Sequence, residues 1–148
     1  ARRRVLELGV SQISGGSRTS VGGYVKQEAP EENSAQFEVN DNRTLDEIVN
    51  WLLGLGYIPS FCTACYREGR TGDRFMQLVK AGQIANCCLP NALMTLQEYL
   101  EDYASPETRE KGRILIEEEL KKITNPKVCD IACRNLKEIS NGKRDFRF

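Results

Sequence analysis

The chain has 148 residues, of which 40% are hydrophobic and 28% are charged, so it can bury a core and is not expected to be disordered. Its 21 basic and 21 acidic residues cancel, which argues against a general electrostatic attraction to nucleic acid or to anionic lipid. No segment approaches the run of about 20 apolar residues that crosses a bilayer, and the first residues lack the apolar segment of a secretory signal, so we expect a cytoplasmic protein.

Helices and extended segments alternate in the first part of the chain. A helix is predicted to end at Gly9, and its last residues are followed by short extended segments at 10–14 and 36–39. A third extended segment, at 57–61, contains a proline that favours an edge strand or a bend over a central strand. This part of the chain therefore has the pattern of strand–helix units.

A capping box marks the start of the helix that precedes the third extended segment. Thr44 and Glu47 have the spacing at which each side chain binds the other residue's backbone N–H, and the helix is predicted to end near Gly56. The order of the elements resembles the final units of a βα-repeat fold. The sequence therefore predicts one domain at 1–60 and a second, different domain at 61–148.

Helical patterns dominate the second predicted domain. Proline, glycine and N-capping residues mark its helix ends, and no convincing strand pattern occurs there. The predicted helices run from 73 to 81, from Pro90, from Pro106 with Ser105 as its cap, and from Pro126 with Asn125 as its cap. We expect this domain to be mostly α-helical.

Three cysteines in the pattern C-x2-C-x22-C are the candidate metal ligands. Cys62 and Cys65 are three positions apart, so both sulfur atoms can turn toward one metal centre. The residues between Cys65 and Cys88 are numerous enough for a helix to lead away and for the chain to return. Cys88 is predicted to lie on the loop that enters the Pro90 helix, where backbone N–H groups can donate to the sulfides of a cluster.

Three kinds of site are compatible with this spacing. Three cysteines can hold a 4Fe–4S cluster and leave one iron open to an outside ligand. A structural zinc ion needs a fourth ligand, for which the chain without histidine offers only Cys87, whose side chain should diverge from that of Cys88. Cys62 and Cys65 could also form a redox dithiol, although the residues that follow them look like a loop and not like the helix of a thioredoxin-type motif.

The other cysteines and two arginines have less specific interpretations. Cys129 and Cys133 fall on one face of the Pro126 helix and are interpreted as small apolar side chains of the core, as is Cys87, with exchange between Cys87 and Cys88 as an alternative. Arg67 and Arg70 are either ordinary surface residues or charges that offset an anionic cluster and raise its potential.

A glycine-rich segment, "ISGGSRTSVGGY" at 13–24, follows the first predicted strand. Glycines allow a backbone to approach a ligand closely, but the segment lacks the G-x-G-x-x-G pattern and no helix opens directly from it. The segment is either a flexible connection or a lining of ligand-binding residues at the carboxyl end of a barrel strand. The residues in question are Ser14, Ser17, Arg18 and Thr19.

Four segments of the chain carry a resemblance to one family: "GVSQISGGSRTSVGGY", "QFEVNDNRTLDEIV", "GYIPSFCTACYREGRTGDRFM" and "LPNALMTLQEYLEDYAS". Together they resemble the C-terminal third of the tyrosine lyases that mature FeFe-hydrogenases, the HydG family of the radical S-adenosylmethionine superfamily. The first part is also similar to the tyrosine lyase of the thiamine pathway, whereas the C-x2-C-x22-C block resembles the hydrogenase maturases alone. The resemblance covers essentially the whole chain.

The resemblance implies a fold and a set of cofactors. It implies the last βα units of a TIM-like radical S-adenosylmethionine barrel at 1–60, followed by a mostly α-helical domain at 61–148 that holds an auxiliary 4Fe–4S cluster with an extra iron. Cys62, Cys65 and Cys88 would be the ligands of that auxiliary cluster. S-adenosylmethionine and a second 4Fe–4S cluster would belong to the rest of the barrel.

The resemblance also implies an activity for the full-length enzyme. Tyrosine would be split into p-cresol and dehydroglycine, and the latter converted to carbon monoxide and cyanide for the H-cluster of FeFe-hydrogenase. Hydrogenase maturation proteins would be the partners, with no role for nucleic acid or membrane.

Departures from the family limit what the chain is expected to do alone. The C-x3-C-x2-C motif of the barrel cluster is absent, since "CDIACRNL" has Leu136 in place of the third cysteine, and no histidine is available for the extra iron. We therefore expect a fragment, or a partial gene product, that by itself cleaves neither S-adenosylmethionine nor tyrosine. The alternative function is a non-catalytic interaction module stabilised by zinc or by a cluster.

Overall fold

The computed structural model describes residues 2–9, 12–18 and 41–147. The α-helices in these ranges are α1 (Arg2–Glu7), α2 (Leu45–Gly54), α3 (Ala64–Arg67), α4 (Gly72–Lys80), α5 (Gln83–Asp102), α6 (Pro106–Leu120) and α7 (Pro126–Ser140). The chain divides into two compact units, Ala1–Ile48 and Val49–Phe148. The domain boundary predicted after residue 60 lies within the second unit, because Val49, Leu53 and Ile58 pack in the core of that unit.

In the first unit, a glycine turn packs against the start of α2. A Cβ atom at Gly15 would lie 3.3 Å from Cδ1 of Ile48, and one at Gly16, whose φ is +68°, would lie 3.0 Å from the backbone nitrogen of Leu45. The Ser14 and Ser17 hydroxyls close the turn with a hydrogen bond of 2.6 Å. Close packing therefore explains why glycine occupies positions 15 and 16. The rest of the predicted glycine-rich segment, from Thr19 onward, lies outside the described residues.

The capping box predicted for α2 is confirmed. The backbone N–H of Thr44 donates to Oε2 of Glu47 at 2.6 Å, and the backbone N–H of Glu47 donates to the Thr44 hydroxyl at 3.3 Å. The pKa of Glu47 is lowered below its usual range by two hydrogen bonds from Thr44. The bond from the backbone N–H has the larger effect, and the bond from the hydroxyl has the smaller one. The carboxylate therefore stays charged at the positive end of the helix.

The predicted strands are not found among the described residues. Residues 12–14 and 57–61 have no strand structure, and the segment at 36–39 lies outside the described ranges. A strand exists only as a member of a hydrogen-bonded ladder, and the described ranges contain no second strand with which either segment could pair. The tail of a barrel at 1–60 therefore stays a prediction, whereas the predicted helical character of the second part is confirmed.

The helix starts predicted at Ser105 and Asn125 are also confirmed. The Ser105 hydroxyl accepts the N–H of Thr108 at 3.4 Å. The Asn125 side-chain oxygen accepts the N–H groups of Lys127 and Val128 at 3.1 and 3.4 Å. In each case proline occupies the first helical position, where its missing N–H costs no hydrogen bond.

The fifth helix begins earlier than the sequence predicts. Pro90 lies inside α5, which starts just after Gly82 in the left-handed conformation, with φ of 72°. Proline has no N–H, so the carbonyl of Asn86 receives no intrahelical hydrogen bond, and this is tolerated because Asn86 is exposed to water. Cys87 and Cys88 are therefore helical residues, and the prediction that Cys88 lies on a helix-entrance loop is wrong.

The core of the second unit is built around α5, which contacts α4, α6 and α7. Leu93, Leu96 and Leu100 have no exposed surface, as predicted for one face of this helix. The remaining buried residues of this core are Val49, Leu53, Met94, Tyr99, Ala104, Leu115, Ile116, Ile123, Ala132, Leu136 and Ile139. No helix in the described ranges combines the length and the apolar character needed to cross a membrane.

The segment after α7 is attached to α5 by an ion pair. Nε and Nη2 of Arg144 donate to the two carboxylate oxygens of Asp102 at 2.9 and 2.6 Å, and Nη1 donates to the carbonyl of Ile139 at 2.8 Å. The hydrogen bond from Arg144 lowers the pKa of Asp102 below its ordinary value. The pair joins the end of the last helix to the central one.

Candidate metal centre

The first two candidate ligands lie on a segment that an aromatic contact attaches to α5. Phe61 stacks on Tyr99, with ring centroids 5.3 Å apart and an angle of 19° between the ring planes. Cys62 follows directly and is exposed, with its backbone N–H 3.4 Å from the Ser60 hydroxyl. The stack between Phe61 and Tyr99 therefore fixes the point on α5 from which the cysteine segment starts.

Cys65 lies in a single helical turn and not in a loop. The residues after the first cysteine form α3, and the backbone N–H of Arg70 returns to the carbonyl of Cys65 at 2.8 Å. Gly69, with φ of 63°, supplies the left-handed residue that this reversal requires. The expectation of a loop-like stretch after Cys65 is wrong for Tyr66 and Arg67, which belong to α3, whereas Glu68 and Gly69 lie in a turn, as expected. The reversal brings the Arg70 side chain back toward the Cys65 sulfur, which is half-buried.

Cys87 and Cys88 lie in the first half of α5, and both are half-buried. Successive side chains of a helix point about 100° apart, so the two sulfur atoms lie on different faces, in line with the prediction of divergence. Nδ2 of the buried Asn91, one turn further on, donates to the Cys87 sulfur at 3.8 Å. Asn91 therefore restrains the thiol of Cys87 and not that of the predicted ligand Cys88.

Electrostatic interactions show that the cysteines of the two segments approach one another. Burial raises the pKa of the Cys88 thiol, and negative charge on Cys87, Cys65 and Cys62 raises it further, while Arg70 acts in the opposite direction. The predicted ligands Cys62 and Cys65, together with Cys87, therefore lie within electrostatic reach of Cys88. Within the described ranges, however, no three His, Cys, Asp or Glu side chains are close enough together to hold a metal ion.

The Arg70 guanidinium is the positive charge of this region. Its Nη1 donates to Oε2 of Glu68 at 2.6 Å, and its approach to Cys65 is the largest cause of a raised Arg70 pKa. Its Nε is nevertheless buried without an acceptor at hydrogen-bond distance and angle. A buried donor on a guanidinium that interacts with Cys65 fits an additional acceptor or an anionic centre at this place. Arg67, by contrast, is an exposed residue at the end of α3.

The cysteines of α7 differ from the prediction. Cys129 is half-buried, packs against the core and donates to the carbonyl of Leu120 at 3.9 Å, as expected of a packing residue. Cys133 is exposed, so its interpretation as a core side chain is wrong. The buried face of α7 passes through Ala132 and Leu136, and Cys133 lies one residue to the side of that face.

Two contacts of the site were missed by sequence reasoning. Phe61 and Tyr99 meet across a long separation in sequence, and Asn91 reaches Cys87 only because the helix begins before Pro90. The aromatic residue beside Cys62 was a visible signal, but its partner was not. The Asn91 contact would have followed from helical spacing had the start of α5 been predicted correctly.

Taken together, the fold and the site define a small helical unit with a thiol-rich region beside a guanidinium. Over 99% of its length the chain is similar to part of the crystal structure of HydG, a maturase of the FeFe-hydrogenase, with a TM-score of 0.84 and 49% identical residues. The chain spans 31% of the length of that protein. The resemblance predicted from the sequence, to a C-terminal portion of such a maturase, is confirmed. No protein-family model and no curated protein matches the chain.

Proposed function

We propose that the chain is the C-terminal portion of a radical S-adenosylmethionine tyrosine lyase that matures FeFe-hydrogenase. The full-length enzyme would take tyrosine to p-cresol, carbon monoxide and cyanide for assembly of the H-cluster. The observation that carries the proposal is the similarity to HydG, at 49% identity along 99% of this chain. A common fold alone would be a weak argument for function, and identity at this level adds support that a shared fold does not give.

In this proposal Cys62, Cys65 and Cys88 hold an auxiliary 4Fe–4S cluster. The donor set supports it, because soft thiolates suit iron–sulfur clusters and the chain has no histidine to compete for the role. The influence of Cys65 and Cys62 on the pKa of Cys88 supports it as well. When bound, the cluster supplies an iron with a coordination position that the protein leaves open to small ligands.

The residues around the thiols would position and tune this site. Arg70 carries a positive charge next to Cys65 and has a buried Nε free to donate, so it offsets negative charge on the thiolates. The stack of Phe61 on Tyr99 holds the cysteine segment on α5. Half-burial of Cys65 and Cys88 lowers the local dielectric and strengthens these interactions.

The rest of the proposal concerns the full-length enzyme. Residues 1–60 would complete the tail of the barrel that binds S-adenosylmethionine, tyrosine and the second 4Fe–4S cluster. Hydrogenase maturation proteins would be the partners, and the enzyme would work in the cytoplasm.

The proposal is tested by anaerobic reconstitution of the chain with iron and sulfide, followed by metal analysis and electron paramagnetic resonance. The wild-type chain is expected to take up about four irons and four sulfides. Cys88→Ser should lose the cluster signal, and Cys133→Ser, which changes an exposed thiol on α7, should keep it. Iron content and spectrum unchanged in Cys88→Ser would overturn the ligand assignment.

A second function is favoured by one observation, the presence of a fourth thiol. Cys87 is the first of the charged groups that act on Cys88, ahead of Cys65 and Cys62, so the electrostatic surroundings of Cys88 include three further thiols. Four thiolates are the ligand set of structural zinc, and a zinc-stabilised module could bind an assembly partner without catalysis. Zinc at one equivalent without iron or sulfide, lost in Cys87→Ser, would establish this function in place of the first.

A further inference from the structure

A second thiol pair lies on α7, separate from the cysteines of the candidate metal centre. Cys129 and Cys133 are four residues apart on one helix, and each is free of disulfide bonding. Neither is among the charged groups that act on Cys88, whereas Cys129 acts directly on Cys133. The two cysteines therefore form a pair of their own, and the proposed function makes no use of it.

The helix holds the two sulfur atoms in a fixed relation. Residues four apart on a helix lie on the same side, with Cβ atoms about 5–6 Å from each other, so two thiols can reach a common centre. The helix is fixed at its start by the Asn125 cap, and the buried Ala132 and Leu136 hold it against the core. The pair is therefore preorganised, and binding would require little backbone movement.

One end of the pair is closed and the other is open. The Cys129 sulfur packs against the core and lies 3.9 Å from the carbonyl oxygen of Leu120. Cys133 is exposed, which leaves a path from solvent to the space between the sulfur atoms. Such an arrangement admits a small ion but shields it on one side.

We propose that Cys129 and Cys133 form a two-thiol binding site for a soft monovalent cation of the copper(I) class. Thiolates select soft ions, and copper(I) is the biological example that is satisfied by two sulfur ligands. Zinc would need four ligands, and no group of three or more His, Cys, Asp or Glu side chains suited to a metal occurs in the described part of the chain. Binding would replace two S–H bonds by two Cu–S bonds and release two protons to solvent, with copper remaining in the +1 state.

The first test is an anaerobic titration of the full chain with copper(I) against a chromophoric chelator. Compared with the wild-type chain, Cys133→Ala and Cys129→Ser should each bind one equivalent less. The triple variant Cys62→Ser, Cys65→Ser and Cys88→Ser should keep that equivalent, because it leaves α7 unchanged. Circular dichroism verifies the helical content of each variant. A Cys133→Ala chain that binds as much copper(I) as the wild type would overturn the proposal.

A second measurement identifies the ligands without multiple substitutions. Cysteine alkylation of the copper-saturated wild-type chain, mapped by mass spectrometry, should leave Cys129 and Cys133 unlabelled. In copper-saturated Cys133→Ala, Cys129 should become labelled, while the labelling of the cysteines at 62, 65, 87 and 88 stays as in the wild type. Continued protection of Cys129 in that variant, or labelling of both α7 cysteines in the saturated wild type, would refute the site.

Discussion

Replacing Gly112 by alanine is expected to destabilise the helical unit, although alanine is the better helix former. A Cβ atom at position 112 would lie 2.5 and 2.7 Å from the two methyl carbons of Leu100. Leu100 has no exposed surface, so its side chain is enclosed by the core and cannot turn into solvent. Overpacking of this kind costs about 1–3 kcal/mol, and the contact is short enough for the upper part of that range. Alanine returns about 1 kcal/mol of helix propensity, so the net loss is about 2 kcal/mol.

Urea denaturation followed by circular dichroism at 222 nm measures this loss. Two further variants separate the cost of overpacking from the gain in helix propensity. Gly54→Ala is the matched control, because Gly54 ends α2 at an exposed position with nothing within 4 Å of a Cβ atom. We expect it to be neutral or to gain about 0.5 kcal/mol. In a Leu100→Ala background the obstructing methyl groups are gone, so Gly112→Ala should there raise the free energy of unfolding by about 1 kcal/mol.

The reversal of sign between the two backgrounds is the decisive result. If Gly112→Ala lowers the stability equally with leucine and with alanine at position 100, the close approach of α6 to α5 is not the cause. The reasoning would then be refuted, since it assigns the whole cost to this one contact.

Three further predictions concern other parts of the structure. Ser105→Ala should cost about 1 kcal/mol of stability, whereas Thr71→Ala, at the start of α4 where no cap hydrogen bond is made, should cost less than about 0.5 kcal/mol in the same urea titration. Asp102→Asn should be less stable than the wild type at neutral pH, and the difference should shrink as the pH falls below the ordinary pKa of a carboxyl group: the lowered pKa of Asp102 gives stability that is present above the unfolded pKa and is lost as the pH falls through the folded pKa. In the reconstituted chain, Arg70→Gln should lower the reduction potential measured by redox titration, and the exposed Arg74→Gln should not; an equal shift in both variants would contradict a specific role for Arg70.

The features that the sequence predicts correctly are those decided by neighbouring residues. A capping box, a capping side chain followed by proline, and a glycine after a helix each act within four residues, and the structure confirms them at Thr44, Ser105, Asn125 and Gly9. The spacing of the candidate ligands is also local. It predicts a helix between Cys65 and Cys88, and α4 lies there; that Cys62 and Cys65 face a common centre stays a prediction.

The features that the sequence does not predict depend on distant residues. Pro90 is a legitimate helix start by local rules, but in the structure the helix begins at Gln83 and Pro90 is an internal residue. Cys133 is exposed because the face of α7 that meets the core passes through the neighbouring residue, Ala132. The sequence pattern does not fix that face to within one residue. The contacts between Phe61 and Tyr99, and between Gly112 and Leu100, join residues that no short pattern relates.

The central helix serves the core and the candidate site with different halves. Residues 83–89 of α5 are exposed or half-buried and include Cys87 and Cys88, whereas residues 90–100 are mostly buried. At the junction the carbonyl of Asn86 lacks a helical hydrogen bond, because Pro90 has no N–H to donate. The first half is therefore less strongly joined to the core than a continuous helix would be. Gly112→Ala should accordingly lower the free energy of unfolding and leave the iron content of the reconstituted chain unchanged. A loss of iron in parallel with the loss of stability would show that the two halves of α5 are coupled, against this reasoning.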